Sequence, residues 1–167
     1  MIYAIGDLHL SFARDKTMEI FGYGWKNHTQ RLEEGWRRVV AEEDLVIVPG
    51  DISWAIKAEE AQVDLLWVSK LPGTKLLIKG NHDYWWSTTT KARSIMPPKM
   101  NVLLSDVYYW GDVAIVGIRG WTCPGDYSFN YKKDYYIYKK ESERLERLLT
   151  RVAKSNPKKI IVAMHFP

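Results

Sequence analysis

The 167-residue chain has a single cysteine, Cys123, and lacks any apolar run long enough to cross a membrane. One cysteine excludes an internal disulfide and a metal site built from several thiolates. A membrane-spanning helix needs about 20 apolar residues, so none is expected. The segment from Met1 to Asp7 has neither a basic leader nor a small-residue cleavage site, and it begins directly as a strand. These absences predict a cytoplasmic protein.

Charge is distributed unevenly along the chain. The formal net charge is +4, yet residues 132–159 contain ten basic and only four acidic side chains. A solvated helix face is the common reason for such a segment. An anionic partner such as a nucleic acid is the alternative, because clustered lysine and arginine side chains attract phosphates.

Short apolar runs alternate with helical patterns, and no internal repeat interrupts them. The predicted strands are residues 2–5, 45–48, 76–78, 102–104, 113–116 and 160–164, and the predicted helices are residues 32–40, 58–71 and 145–152. The early strands are uniformly apolar, which is typical of strands buried on both faces. Strand–helix–strand order favours a partly parallel sheet, and the two strands between residues 102 and 116 resemble a hairpin. We therefore predict one mixed α/β domain over residues 1–167.

Polar residues follow the apolar strands at the point where each strand ends. In open α/β sheets, ligands bind beyond the carboxyl ends of the strands, so parallel neighbours would bring these residues to one edge. The polar segments are Gly6-Asp7-Leu8-His9, Pro49-Gly50-Asp51, Gly80-Asn81-His82-Asp83 and the C-terminal His165.

These side chains indicate a metal centre. Carboxylates held close together repel one another, and a cation relieves the repulsion. Oxygen and nitrogen donors without sulfur suit Mn, Fe or Zn. Asp7 and His9 are two residues apart, so an extended backbone would point both to the same side. The candidate ligands exceed what one ion needs, which favours a two-metal site; they are Asp7, His9, Asp51, Asn81 and His165.

In this order and over nearly the whole chain, the motifs resemble those of the calcineurin-like metallophosphoesterase superfamily. The segment 49–55 is closer to an uncharacterised prokaryotic branch than to the eukaryotic Ser/Thr phosphatases. The resemblance implies a β-sandwich of two mixed sheets flanked by helices. It also implies hydrolysis of phosphomonoesters or phosphodiesters, in which a hydroxide bridging two divalent ions attacks phosphorus.

The resemblance further implies a role for each matching residue. His82 would protonate the leaving group, with Asp83 orienting its ring. Asn81, besides binding metal, would contact substrate. The implied ligands are Asp7 and His9 for the first ion, Asp51 for both ions, and Asn81 and His165 for the second ion.

The chain also departs from the family pattern. The family has a final Gly-His-x-His motif that completes both metal sites, and this motif does not occur here; His28 is the only other histidine. We therefore expect a domain whose second sheet lacks its C-terminal part, with an exposed strand edge that favours self-association. Two alternatives to a small-molecule or protein phosphatase stay open: a nuclease, and a non-catalytic, metal-poor fragment lacking two histidine ligands.

Some residues outside these motifs have two interpretations. Arg119, after an apolar strand, would either clamp a substrate phosphate or cap a loop. The run from Tyr84 to Trp86 favours a place in the core over the mouth of the site. His28 favours a helix-capping or surface role, and Cys123 lacks an identifiable base and is expected to be inert.

Overall fold

The computed structural model describes residues 1–14 and 16–166, which divide into two compact units. The first unit ends at Val102, and the second begins at Leu103. Each unit contains its own β-sheet. Within the described residues, no helix combines the length and the apolar character that a membrane crossing requires.

The first unit is built on a sheet of four strands in the order β1-β2-β3-β4, all parallel. Its strands are β1 (Ile2–Ala4), β2 (Leu45–Pro49), β3 (Thr74–Ile78) and β4 (Met100–Val102). Its helices are α1 (His28–Val39), α2 (Ala58–Ser69) and α3 (Thr89–Ser94), with 3-10 turns at Met18–Phe21 and Tyr23–Trp25. Because the strands run in one direction, their carboxyl ends meet at one edge of the sheet. We expected a mixed sheet here, but the described strands are parallel throughout.

Strand β2 shows why the early strands are uniformly apolar. Successive residues of a strand point to opposite faces of the sheet. The four residues 45–48 are all at most 2% exposed, so both faces of the strand are covered. The apolar run therefore predicted the burial of this strand correctly.

The first turn of helix α2 contains two acidic residues, Glu59 and Glu60. The Glu60 carboxylate accepts hydrogen bonds from the backbone N–H groups of Ile56 (3.0 Å) and Lys57 (3.3 Å). Both donors precede the first helical residue, and the bonds lower the pKa of Glu60. The helix start thus follows from local chemistry.

The second unit has a mixed sheet in the order β5-β6-β7. Its elements are β5 (Asp106–Trp110), β6 (Val113–Ile118), α4 (Tyr131–Ala153) and β7 (Lys159–Met164). Strands β5 and β6 are antiparallel, whereas β6 and β7 are parallel. On α4, Leu148 and Val152 pack against the apolar residues of β6. The connection from β6 through α4 to β7 therefore buries one face of the helix on the sheet.

Two details of the predicted elements were wrong. Residues 102–104 do not form the first strand of the hairpin: Val102 ends β4, which pairs with β3, and the hairpin partner of β6 is β5. Helix α4 is 23 residues long and begins well before the apolar pattern at residue 145. Its first half carries exposed lysine and tyrosine side chains, and so lacks an apolar stripe there.

Candidate metal centre

The segments that follow β1 and β2 run side by side beyond the sheet. The backbone N–H of Asp7 donates to the Gly50 carbonyl (3.1 Å), and that of His9 donates to the Asp51 carbonyl (2.9 Å). A parallel bridge between Leu10 and Ser53 extends the contact. These bonds place two Asp residues and a His at the carboxyl edge of the first sheet, where the sequence predicted them.

The backbone at these three residues is left-handed. The φ angles are +57° at Asp7, +46° at His9 and +53° at Asp51. Non-glycine residues rarely adopt this conformation, and each such residue costs roughly 1–3 kcal/mol. The expectation that an extended backbone aligns Asp7 with His9 was therefore wrong. Local kinks aim the side chains instead, and strain concentrated on three polar residues is typical of a functional site.

The side chains of these three residues converge. His9 Nε2 lies 3.6 Å from a carboxylate oxygen of Asp7 and 3.8 Å from one of Asp51. Oxygens of the two carboxylates lie within 4.8 Å of each other. Asp51 is 3% exposed, whereas the Asp7 side chain remains 59% exposed. Two oxygens and one nitrogen in this space fit a divalent cation, which would offset the repulsion between the carboxylates.

The second carboxylate oxygen of Asp51 is fixed by the loop after β3. It accepts a hydrogen bond from the backbone N–H of His82 (2.9 Å). The loop also comes very close at Gly80, where a Cβ atom would lie 2.1 Å from the same oxygen. Only glycine permits this approach, and it brings the partly buried Asn81 onto the same edge of the first unit.

Asp83 has a different role from the one that the resemblance implied. Its side chain is fully buried, and its hydrogen bonds come from backbone N–H groups and from one indole. The donors are the backbone N–H groups of Asp51, Ile52, Ser53 and Gly80 and the Trp85 indole N–H, at 2.8–3.2 Å. Burial raises the pKa of Asp83, and the backbone hydrogen bonds oppose this shift. The carboxylate braces the loop of Asp51 and does not orient the His82 ring.

The His82 ring lies among aromatic groups. Its centroid is 4.6 Å from the Trp54 ring, 5.9 Å from the His9 ring and 6.1 Å from the Tyr84 ring. Its Nδ1 atom is buried and has no hydrogen-bond partner within the described residues. His82 thus belongs to the same cluster as His9, held by packing and by its backbone.

Trp54 is a site residue that the sequence analysis missed. Its ring stacks on His9 at 4.8 Å with an interplanar angle of 18°, and the Lys16 ammonium lies 3.0 Å from its centroid. The signal in the sequence was an aromatic residue three positions after Asp51. Trp85 and Trp86 are at most 3% exposed, as the core interpretation predicted, but that interpretation was wrong for Tyr84, which is 60% exposed.

His28 is the first residue of α1 and is not its cap, because Asn27 occupies that position. Burial lowers the pKa of His28, and Trp25 contacts it edge-on at 5.7 Å. The two residues line a cavity of about 450 Å³ that also reaches Asp7. His28 therefore does not cap the helix, and its side chain is half-buried at the wall of this cavity.

Arg119 and His165 lie at the carboxyl ends of β6 and β7 in the second unit. The backbone N–H groups of His165 and Phe166 both donate to the Arg119 carbonyl, at 3.1 and 2.9 Å. The Arg119 guanidinium lies 4.4 Å from the Trp121 ring. The loop after β6 also contains Cys123, which is half-buried. Of the predicted site residues, the first unit contains Asp7, His9, Asp51, Asn81, His82 and Asp83, and the second unit contains Arg119 and His165.

Comparisons with known proteins identify the family of this chain. The family model of calcineurin-like phosphoesterases matches residues 1–167. The Gene 66 protein of Mycobacterium phage D29 is 34% identical over 134 aligned residues, and the match covers 66% of this chain and 65% of that protein. The Gene 66 protein of Mycobacterium phage L5 is 36% identical over 78 residues, 46% of this chain and 37% of that protein. The chain therefore spans less than two thirds of the length of either relative.

A solved structure of a protein of unknown function from Aquifex aeolicus is also similar. It is 17% identical with a TM-score of 0.49, and the match covers 96% of this chain and 76% of that chain.

The chain belongs to the calcineurin-like phosphoesterase family, as its motifs suggested. Members of this family hydrolyse phosphoesters with bound metal ions, and the mixed α/β architecture agrees with the family's fold.

Proposed function

We propose that this chain hydrolyses phosphomonoesters or phosphodiesters with two divalent ions, Mn, Fe or Zn. The observation that supports this most strongly is the convergence of Asp7, His9 and Asp51. A buried carboxylate and an exposed carboxylate both lie close to one imidazole nitrogen. Without a cation, this arrangement combines charge repulsion with left-handed backbone strain, and a bound cation would offset the repulsion.

For the second ion, we propose Asn81 and His165 as ligands and Asp51 as the residue shared with the first ion. This assignment rests on the positions of these residues in the family motifs. Asp51 suits the shared role because it is the most buried acid of the set and its orientation is fixed by the His82 N–H. Asn81 lies next to Gly80, which allows the close approach of the loop.

Divalent ions bound at this centre would stabilise charge on the phosphoryl oxygens and lower the pKa of a bound water to about 7. The protein's own contribution falls to His82, which we propose as the general acid for the departing alkoxide. Its ring is held between Trp54 and Tyr84. Asp83 keeps the loop of Asp51 in place. Asn81 and Arg119 are the proposed contacts to the substrate phosphate.

Exchange of Asp51 for asparagine tests the assignment. We expect purified wild-type chain to retain about two ions and to hydrolyse p-nitrophenyl phosphate or its bis-ester. Asp51→Asn should lose both ions and the activity, because one carboxylate serves both. The matched control is Asp112→Asn, an exposed aspartate paired with Lys158.

The readouts are metal content by mass spectrometry, initial rates and circular dichroism. Two ions retained in a folded Asp51→Asn variant would contradict the shared ligand. A wild-type chain that binds no ion would support the alternative, a non-catalytic fragment.

Self-association through a strand edge and a cytoplasmic location are also proposals. Strand β7 pairs with β6, and among the described strands none pairs with its other edge. Ile160 and Val162 on β7 are 43% and 38% exposed. An exposed, apolar strand edge favours pairing with a second copy, which sedimentation velocity would detect as a concentration-dependent dimer.

A further inference from the structure

One side of α4 carries a continuous row of basic groups. At 3.6 residues per turn, positions spaced three, four and seven apart share a face. Five basic residues and one tyrosine follow this spacing over about 27 Å of helix. We call this row the basic stripe; it consists of Lys133, Tyr136, Lys140, Arg144, Arg147 and Arg151.

The stripe runs along α4 beside the residues that face the core of the second unit, and most of its side chains are exposed. The core side of α4 is occupied by Leu148 and Val152, which are 6% and 0% exposed and pack against β6. Tyr136, by contrast, is 64% exposed, and the Lys140 ammonium lies 4.2 Å from its ring centroid. A large aromatic ring on the wet face of a helix adds nothing to the core, but it offers a flat surface to a ligand.

At the C-terminal end of the stripe, three arginines line one cleft of about 290 Å³. Ser105 and Leu148 complete its lining, which contains no acidic residue among those described. Two of the arginines have acidic neighbours: Arg144 pairs with Glu141, and Arg151 with Asp106 at 2.8 Å. Arg147 has no ion pair in the described part of the chain, and it is exposed.

We propose that the basic stripe binds single-stranded nucleic acid. Phosphates would lie along the lysines and in the arginine cleft, and a base would stack on Tyr136. A duplex hides the faces of its bases, so it would lose the stacking contribution. An anionic membrane fits less well because the apolar side of α4 is already packed on β6. The proposal does not depend on metal ions or turnover.

Fluorescence anisotropy with labelled dT12 and the 167-residue chain in EDTA tests the proposal separately from hydrolysis. The logarithm of the binding constant should fall with the logarithm of salt concentration with a slope of roughly −2 to −3.5, since single strands give about −0.7 per phosphate contact. Tyr136→Ala should weaken binding by about fivefold or more. Arg147→Gln should make the slope shallower by about 0.7.

Two exposed residues of the first unit give matched controls. Tyr23→Ala removes a tyrosine that is 86% exposed, and Arg38→Gln removes an exposed arginine of α1. Both should leave dT12 binding unchanged. The proposal is overturned if dT12 does not bind at low salt, or if a duplex of the same length binds as tightly. It is also overturned if neither stripe variant weakens binding, or if phosphatidylserine vesicles bind equally well with the same dependence on Tyr136.

Discussion

Replacing Asp83 with asparagine tests how the centre is held in shape. Asp83 is fully buried, and its two oxygens divide five donors between them. One oxygen accepts from the N–H groups of Asp51 (2.9 Å) and Gly80 (2.8 Å). The other accepts from the backbone of Ile52 and Ser53 and from the Trp85 indole. Asparagine preserves the shape but offers only one accepting oxygen.

Whichever way the new amide turns, its NH₂ group faces at least two N–H donors. Each buried donor left without a partner costs about 1–3 kcal/mol, so Asp83→Asn should lower the free energy of unfolding by roughly 2–6 kcal/mol. Because two of the donors belong to Asp51 and Gly80, the loss should also loosen the centre. We therefore expect metal affinity to fall together with stability.

Urea unfolding followed by tryptophan fluorescence measures the stability, and titration with Zn²⁺ measures the affinity. Asp112→Asn, an exposed exchange of the same type, should change both by little. A stability loss below about 1 kcal/mol in Asp83→Asn, or an unchanged Zn²⁺ affinity, would refute the bracing role.

Two further predictions concern His82 and a buried lysine. His82→Ala should keep its metal content but lower turnover by roughly 10²–10⁴-fold. His28→Ala should not lower turnover. Full activity in His82→Ala would contradict the general-acid role. Burial lowers the pKa of Lys75 from 10.5 to about 8. Between about pH 8 and pH 10.5 the unfolded chain binds more protons than the folded chain, so the free energy of unfolding of the wild type should rise with pH relative to that of Lys75→Met. Urea unfolding from pH 7 to 10 measures this difference. A stability difference between wild type and Lys75→Met that falls as the pH rises would show that the pKa of Lys75 is not lowered on folding.

The strand ends of the first unit could be predicted from the sequence. Uniformly apolar runs such as residues 45–48 identify strands buried on both faces, and Gly-Asp directly after a run marks where the strand stops. Strand β5 was harder to predict. Its residues Asp106–Trp110 are half-exposed, so the sequence shows neither a buried run nor a clear alternation. Helix α3 has only six residues and too few positions to establish a helical period.

The residues of the candidate site could be predicted from the sequence, but their geometry could not. The types and order of Asp7, His9 and Asp51 indicated a metal centre, yet their left-handed backbone depends on hydrogen bonds between distant segments. The burial of Asp83 also depends on a distant segment, because the loop of Asp51 covers it. Trp54 was missed because an aromatic residue three positions after Asp51 does not by itself indicate stacking on an imidazole.

Anomalous diffraction from crystals of the chain grown with Zn²⁺ tests the central claim most directly. We predict a zinc peak within about 2.0–2.2 Å of oxygens of Asp7 and Asp51 and of the His9 imidazole nitrogen. A second peak sharing Asp51 would support the pair of ions. Zinc found only at other sites, with these three side chains free of metal, would contradict the account.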